Sequence, residues 1–142
     1  MRYFAVLDTN VLVSALLSKQ TTTSRVLDES LFGSIIPVFN EDILAEYEEV
    51  LSRKKFGFAE TEVSALLNAV RARGVRIAAS QVGETVLPDP DDTVFYAVVM
   101  EKRKEDDAYL VTGNQKHFPK EAFIVTPREM LDIIEANRQD QV

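Results

Sequence analysis

Cysteine is absent from the 142 residues and histidine occurs once, at position 117. Disulfide frameworks, structural zinc sites built from Cys and His, and cysteine nucleophiles therefore have no raw material. No stretch approaches the ~20 apolar residues that a membrane helix needs, and the longest runs, such as Val94 to Met100, are core-sized. The first apolar run meets Asp8 after five residues, too soon for a signal peptide, so the expectation is a cytoplasmic protein without a membrane partner. Gly-x-Gly-x-x-Gly, a phosphate-binding Gly-Lys-Ser/Thr loop and a Gly-x-Ser-x-Gly elbow are all missing. Dinucleotide, P-loop and serine-hydrolase readings thus lack their parts. Positive charge is short as well: 16 Lys and Arg face 23 Asp and Glu, a net charge of −7. Such a balance opposes nonspecific binding to nucleic acid unless basic residues cluster or cations intervene.

What remains is the mixture of a water-soluble globule, 46% hydrophobic and 27% charged, at a length typical of one domain. A single domain over residues 1–142 is expected. Tyr3 to Leu7 reads as a buried strand that stops at Asp8-Thr9-Asn10, where a helix opens. A second helix is expected over residues 24–32, closed by Gly33 in a left-handed C-cap. A strand follows at 35–39, and Asn40 is a credible N-cap for a helix whose Ile43, Leu44, Tyr47, Val50 and Leu51 form an apolar stripe. Residues 61–73 make another helix stopped by Gly74, and 75–79 a third strand. Asp89 can cap a helix with Pro90 at its first position, running to the charged segment 101–107. Strands at 109–111 and 123–125 follow, then a last helix from Thr126-Pro127, with a tail from Asn137 expected to fray. Near-continuous apolar strands alternating with helices imply a three-layer α/β/α sandwich around a mostly parallel five-stranded sheet.

In open α/β sheets ligands gather outside the carboxyl ends of the strands, so the residue after each strand is informative. Asp8 is such a residue, and its bland role is to cap the helix that follows. The helix at 41–51 carries Glu41, Asp42, Glu46, Glu48 and Glu49. At ~100° per residue, Asp42 and Glu49 point to solvent, whereas Glu46 and Glu48 border the apolar stripe on opposite sides, and spacing does not choose between them. Asp89, Asp91 and Asp92 crowd one helical turn; capping and the helix dipole explain one or two, and the third adds repulsion unless a cation is shared. Val111-Thr112-Gly113-Asn114 ends a strand in a turn where glycine permits close approach of a ligand. Oxygen donors without His or Cys suit Mg²⁺ or Mn²⁺ and argue against zinc.

These residues resemble the PIN-domain family, in particular its small bacterial members that serve as toxins of toxin–antitoxin pairs. The resemblance lies in Val-Leu-Asp-Thr-Asn-Val-Leu-Val-Ser at 6–14, Glu46-Tyr47, Asp-Pro-Asp-Asp-Thr-Val-Phe at 89–95, Leu-Val-Thr-Gly-Asn at 110–114 and Thr126-Pro127. Their order and spacing together carry it. It implies a 5′-nuclease-like fold, an acidic pocket for Mg²⁺ or Mn²⁺, and metal-dependent endoribonuclease activity. Asp8 then matches the first acid, Glu46 the second and Asp92 the third, with Asp91 an alternative inward-facing residue. Asn114 stands where many members have a fourth Asp; it keeps a carbonyl oxygen but removes one charge. Thr9 and Asn10 shape the first turn and hydrogen-bond the acids, and Asp89 and Thr112 support them. The resemblance further implies RNA as substrate, a homodimer and an antitoxin partner. The rival expectation is a catalytically silent PIN domain that binds RNA or protein. A receiver-like phosphoacceptor domain would want an acidic pair after the first strand and an acceptor Asp after the third, where this chain has Asp8 alone and Ala79-Ser80. His117 is expected in surface packing or against a phosphate.

Overall fold

The computed structural model describes residues 1–78, 87 and 89–139. Five strands, β1 (Tyr3–Leu7), β2 (Ile35–Phe39), β3 (Val75–Arg76), β4 (Ala108–Val111) and β5 (Ile124–Val125), form one parallel sheet in the order β3-β2-β1-β4-β5. The successive residues Ala5, Val6 and Leu7 of β1 are each 2% exposed or less. Neighbouring strand side chains point to opposite faces, so unbroken burial means that both faces are covered. Among the described residues six helices provide that cover: α1 (Thr9–Leu17), α2 (Thr22–Phe32), α3 (Glu41–Leu51), α4 (Glu60–Arg73), α5 (Thr93–Lys102) and α6 (Pro127–Gln139). The result is the α/β sandwich that the alternation of elements predicts.

The chain steps outward from β1 through β2 to β3, then returns to the far side of β1 for β4 and continues to β5. Strand order therefore reverses between β1 and β4, whose carboxyl ends border the crevice where such sheets hold ligands. Local chemistry sets the helix starts. Asn40 Oδ1 accepts from the Ile43 amide at 2.8 Å and opens α3. At α6, Thr126 Oγ1 accepts from the Glu129 amide at 3.1 Å while Glu129 Oε1 accepts from the Thr126 amide at 2.9 Å, a reciprocal capping box ahead of Pro127. Thr126→Ala should lower unfolding free energy by about 1 kcal/mol. A reduced urea midpoint at unchanged m is the expected readout, and an unchanged midpoint would show that the cap contributes nothing.

Several boundaries differ from expectation, each for a local reason. α2 starts at Thr22 because Thr21 Oγ1 caps the Ser24 amide at 3.2 Å. Gly33 is not a left-handed cap, since its φ is −129°. Space explains it instead: a Cβ there would lie 2.5 Å from Glu29 Oε2, which accepts from the Ser34 amide at 2.8 Å. β3 spans Val75–Arg76, with the Ile77 amide still donating to Phe39 O at 2.8 Å, and residues 79–80, where the expected strand ended and the receiver-like reading was weighed, lie outside the described residues. Asp89 does not cap a helix beginning at Pro90. Its Oδ1 accepts from the Asp91 amide at 2.9 Å, so Pro90–Asp92 closes as a single 3-10 turn and α5 starts at Thr93. Of the tail expected to fray, Asn137 and Arg138 are docked: Asn137 Nδ2 donates to the Tyr3 hydroxyl at 2.6 Å and Arg138 pairs with Glu29 at 2.6 Å, while residues 140–142 lie outside the described residues.

Candidate active site

Asp8 sits where β1 ends at the reversal of strand order. Its amide donates to Val111 O at 2.9 Å, which extends the pairing of β1 with β4 by one step. Its side chain is 4% exposed, and Oδ2 accepts from Thr112 Oγ1 at 2.7 Å. Thr112 is fully buried and held by its own amide bond to Val125 O at 2.9 Å, so β1, β4 and β5 jointly fix the carboxylate. Asp8 is the N-cap residue of α1, yet its carboxylate faces the Thr9 and Asn10 amides without closing a capping hydrogen bond. Burial pushes the Asp8 carboxyl above the usual aspartate range; the Thr112 bond, the Asn10 and Thr9 amides and the His117 charge pull the other way.

Glu46 comes from α3, whose stripe of Ile43, Leu44, Tyr47, Val50 and Leu51 is buried. The Tyr47 hydroxyl donates to Leu7 O at 2.5 Å, pinning the helix to β1 one residue before Asp8. Its ring also lies 6.3 Å from that of Phe95, which sets α3 against α5. Of the two candidates on this helix, Glu46 is half-buried, whereas Glu48 is exposed with Asp42 and Glu49. The Glu46 carboxyl is pushed up to about 7, first by burial and then by the charges of Asp91, Asp8, Asp92 and Glu49. Tyr47→Phe would leave the Leu7 carbonyl without its donor and should cost about 1 kcal/mol of stability, measured as a lower denaturation midpoint. Unchanged stability in that variant would show that the hydroxyl does not anchor α3.

Asp92 stands between the 3-10 turn and α5, with a side chain 14% exposed. Burial, then the charges of Asp8 and Asp89, push its carboxyl up to about 6; His117 opposes the shift and Asp91 adds to it. His117 Nδ1 lies 3.5 Å from Asp92 Oδ2, yet that buried oxygen has no hydrogen-bond partner among the described residues. The histidine thus belongs to the acid cluster, a role that sequence reasoning missed; the signal lay only in its position three residues after Asn114. Asp91 is exposed, although its charge is the largest acting on Glu46. Asp89 is exposed with Oδ1 bonded to the Asp91 amide. Asn114 is half-buried, and its amide donates to Thr112 Oγ1 at 3.0 Å. Thr9 and Asn10 depart from expectation: Thr9 Oγ1 is buried without a partner among the described residues, Asn10 is exposed, and Asp8 feels their backbone amides rather than their side chains.

A sequence model of the PIN domain matches residues 5–116, from β1 to the turn after β4. The chain belongs to the PIN-domain family. No curated protein matches it. The matched range contains Asp8, Glu46, Asp92 and Asn114, and PIN domains are a nuclease-type fold that generally works with divalent metals.

The donor chemistry of this PIN domain suits such an ion. Its acids offer oxygen alone, Asp92 Oδ2 is buried with no hydrogen-bond partner among the described residues, and burial followed by mutual repulsion drives two carboxyls to about 6 and 7. Among the described residues no three Asp, Glu or His side chains are spaced to grip one ion as they stand. Several basic side chains are engaged away from the acids. Arg53 pairs with Glu49, Arg71 and Arg76 pair with Glu41, and Arg73 donates to the carbonyls of Ser30 and Gly33. Lys102 is buried over the Phe4 ring and paired with Asp106, and Arg103 donates to Ala108 O.

Proposed function

We propose that this PIN domain is a Mg²⁺- or Mn²⁺-dependent endoribonuclease. The observation that carries the reading is the set of mutually repelling acids, Asp8, Glu46, Asp91 and Asp92, at the reversal of strand order, with one buried carboxylate oxygen left unpaired. Asp8, Glu46 and Asp92 would hold the ion, with the Asn114 carbonyl oxygen as a further donor. When bound, the ion activates water for attack on a phosphodiester and offsets charge on the leaving oxygen. The protein's share is positioning: Thr112 fixes Asp8, Tyr47 fixes the helix of Glu46, and His117 flanks Asp92. The resemblance of the sequence blocks to small bacterial toxins supports, further, a cytoplasmic role as the toxin of a toxin–antitoxin pair, acting as a homodimer.

The second reading, a silent PIN module that binds RNA or protein, draws on Asn114 and on the wide spacing of the acids. One assay separates the two. Purified protein incubated with single-stranded and structured RNA should cut in Mn²⁺ and stop in EDTA. Intact RNA in both conditions, with the protein folded, would favour the silent module.

A further inference from the structure

Next to the acid cluster lies an open cavity of about 470 Å³ between the turn after β4, the approach to β5 and the first turn of α6. Phe118 and Ile124 supply apolar lining, Lys116 and Lys120 bring positive charge, and Gln115 and Glu129 bring an amide and a carboxylate. The volume is that of a pocket for a small organic ligand. Neither lysine forms an ion pair with a described residue, whereas Arg53, Arg71, Arg76 and Arg138 are all paired with carboxylates. Glu129 Oε1 accepts from Gln115 Nε2 and from the Thr126 amide, both at 2.9 Å. Oε2 takes no hydrogen bond from the described residues, so an acceptor remains for an incoming donor.

The cavity and the acids are joined by one short segment. Thr112 bonds Asp8, the Asn114 amide bonds Thr112, Gln115 starts the 3-10 turn Gln115–His117, and His117 lies against Asp92. A ligand in the cavity is thus held by the chain that shapes the acid site. We propose that the cavity is a nucleotide subsite, seating one residue of the RNA strand beside the scissile phosphodiester. The base enters the cavity with an N–H of its edge toward Glu129, and the adjoining phosphate meets Lys116 and Lys120. This rests on the nuclease reading above, but it is tested without catalysis.

The measurement is fluorescence anisotropy of a labelled single-stranded oligoribonucleotide with the full chain in EDTA, over a range of salt. Lys116→Ala and Lys120→Ala, both at exposed positions, should each weaken binding and reduce the slope of log K against log salt by about 0.7. Lys19→Ala, at an exposed residue outside the cavity, should leave the slope unchanged. With Mn²⁺, the cavity variants should raise KM. Wild-type slope and KM in both cavity variants would overturn the subsite and leave the nuclease reading intact, as would failure of the wild-type chain to bind the oligonucleotide at low salt if cleavage is still seen. Lysine-dependent binding without any cleavage in Mn²⁺ would remove the nuclease reading and keep the subsite.

Discussion

Asp8→Asn should abolish cleavage of RNA in Mn²⁺ while the protein stays folded. The loss should exceed about a hundredfold, because removing even an outer partner of a metal ligand costs about 10–100-fold. The fold should survive for a steric reason: Asn has almost the same shape, and its carbonyl oxygen can still accept from Thr112. Without divalent ions the variant should melt at or above the wild-type temperature, since a buried charge among other acids has been removed. Loss of activity together with loss of the circular-dichroism spectrum would indicate a merely structural Asp8. Full cleavage by a folded Asp8→Asn protein would end the proposed chemistry.

Thermal stability should depend on pH and metal together. Glu46 and Asp92 have folded values of about 7 and 6, above their ordinary 4.5 and 3.8. The folded protein therefore binds their protons more tightly than the unfolded chain does. The stability they contribute is complete below the ordinary values and is lost as pH rises through about 6 to 7. Glu29, Glu41 and Glu129 are shifted downward, so their contribution is present above 4.5 and lost only under more acid conditions. In EDTA the melting temperature should consequently fall between pH 5 and pH 8, and Glu46→Gln should flatten the fall. Mn²⁺ at pH 7.5 should reverse it. At a hundredfold excess over Kd the gain is about 2.7 kcal/mol. At about 3 °C per kcal/mol for a chain of this size, that raises the midpoint by about 8 °C. At pH 5 protons compete and the gain should shrink. A midpoint indifferent to millimolar Mn²⁺ at pH 7.5 would contradict an ion held by these acids.

The parts of this protein that could be read from sequence are those set by neighbours in the chain. β2 and α3 fall where an apolar run and the Asn40 cap put them. The Asp8 position followed from a strand ending in a carboxylate. Helical spacing left Glu46 and Glu48 open and only the family resemblance named Glu46; what holds its helix against β1 is the Tyr47 hydroxyl reaching Leu7, 40 residues away. Asp89 was misread because a two-residue loop of its own side chain competes with helix initiation, and sequence patterns weigh the two alike. The docked tail was equally hidden, since Asn137 and Arg138 find partners 134 and 109 positions earlier. His117 shows the limit most clearly: nothing in Gln115-Lys116-His117 announces that it will face Asp92.

The bond between Asp8 and Thr112 spans 104 positions and forms only when β4 takes its place beside β1. β1, α3 and the 3-10 turn at Asp92 all precede β4 in the chain, so the buried setting of Asp8 is completed only by the strand that comes after them. The gathering of Asp8 with its partner is thus a property of the paired sheet rather than of any one segment of the chain.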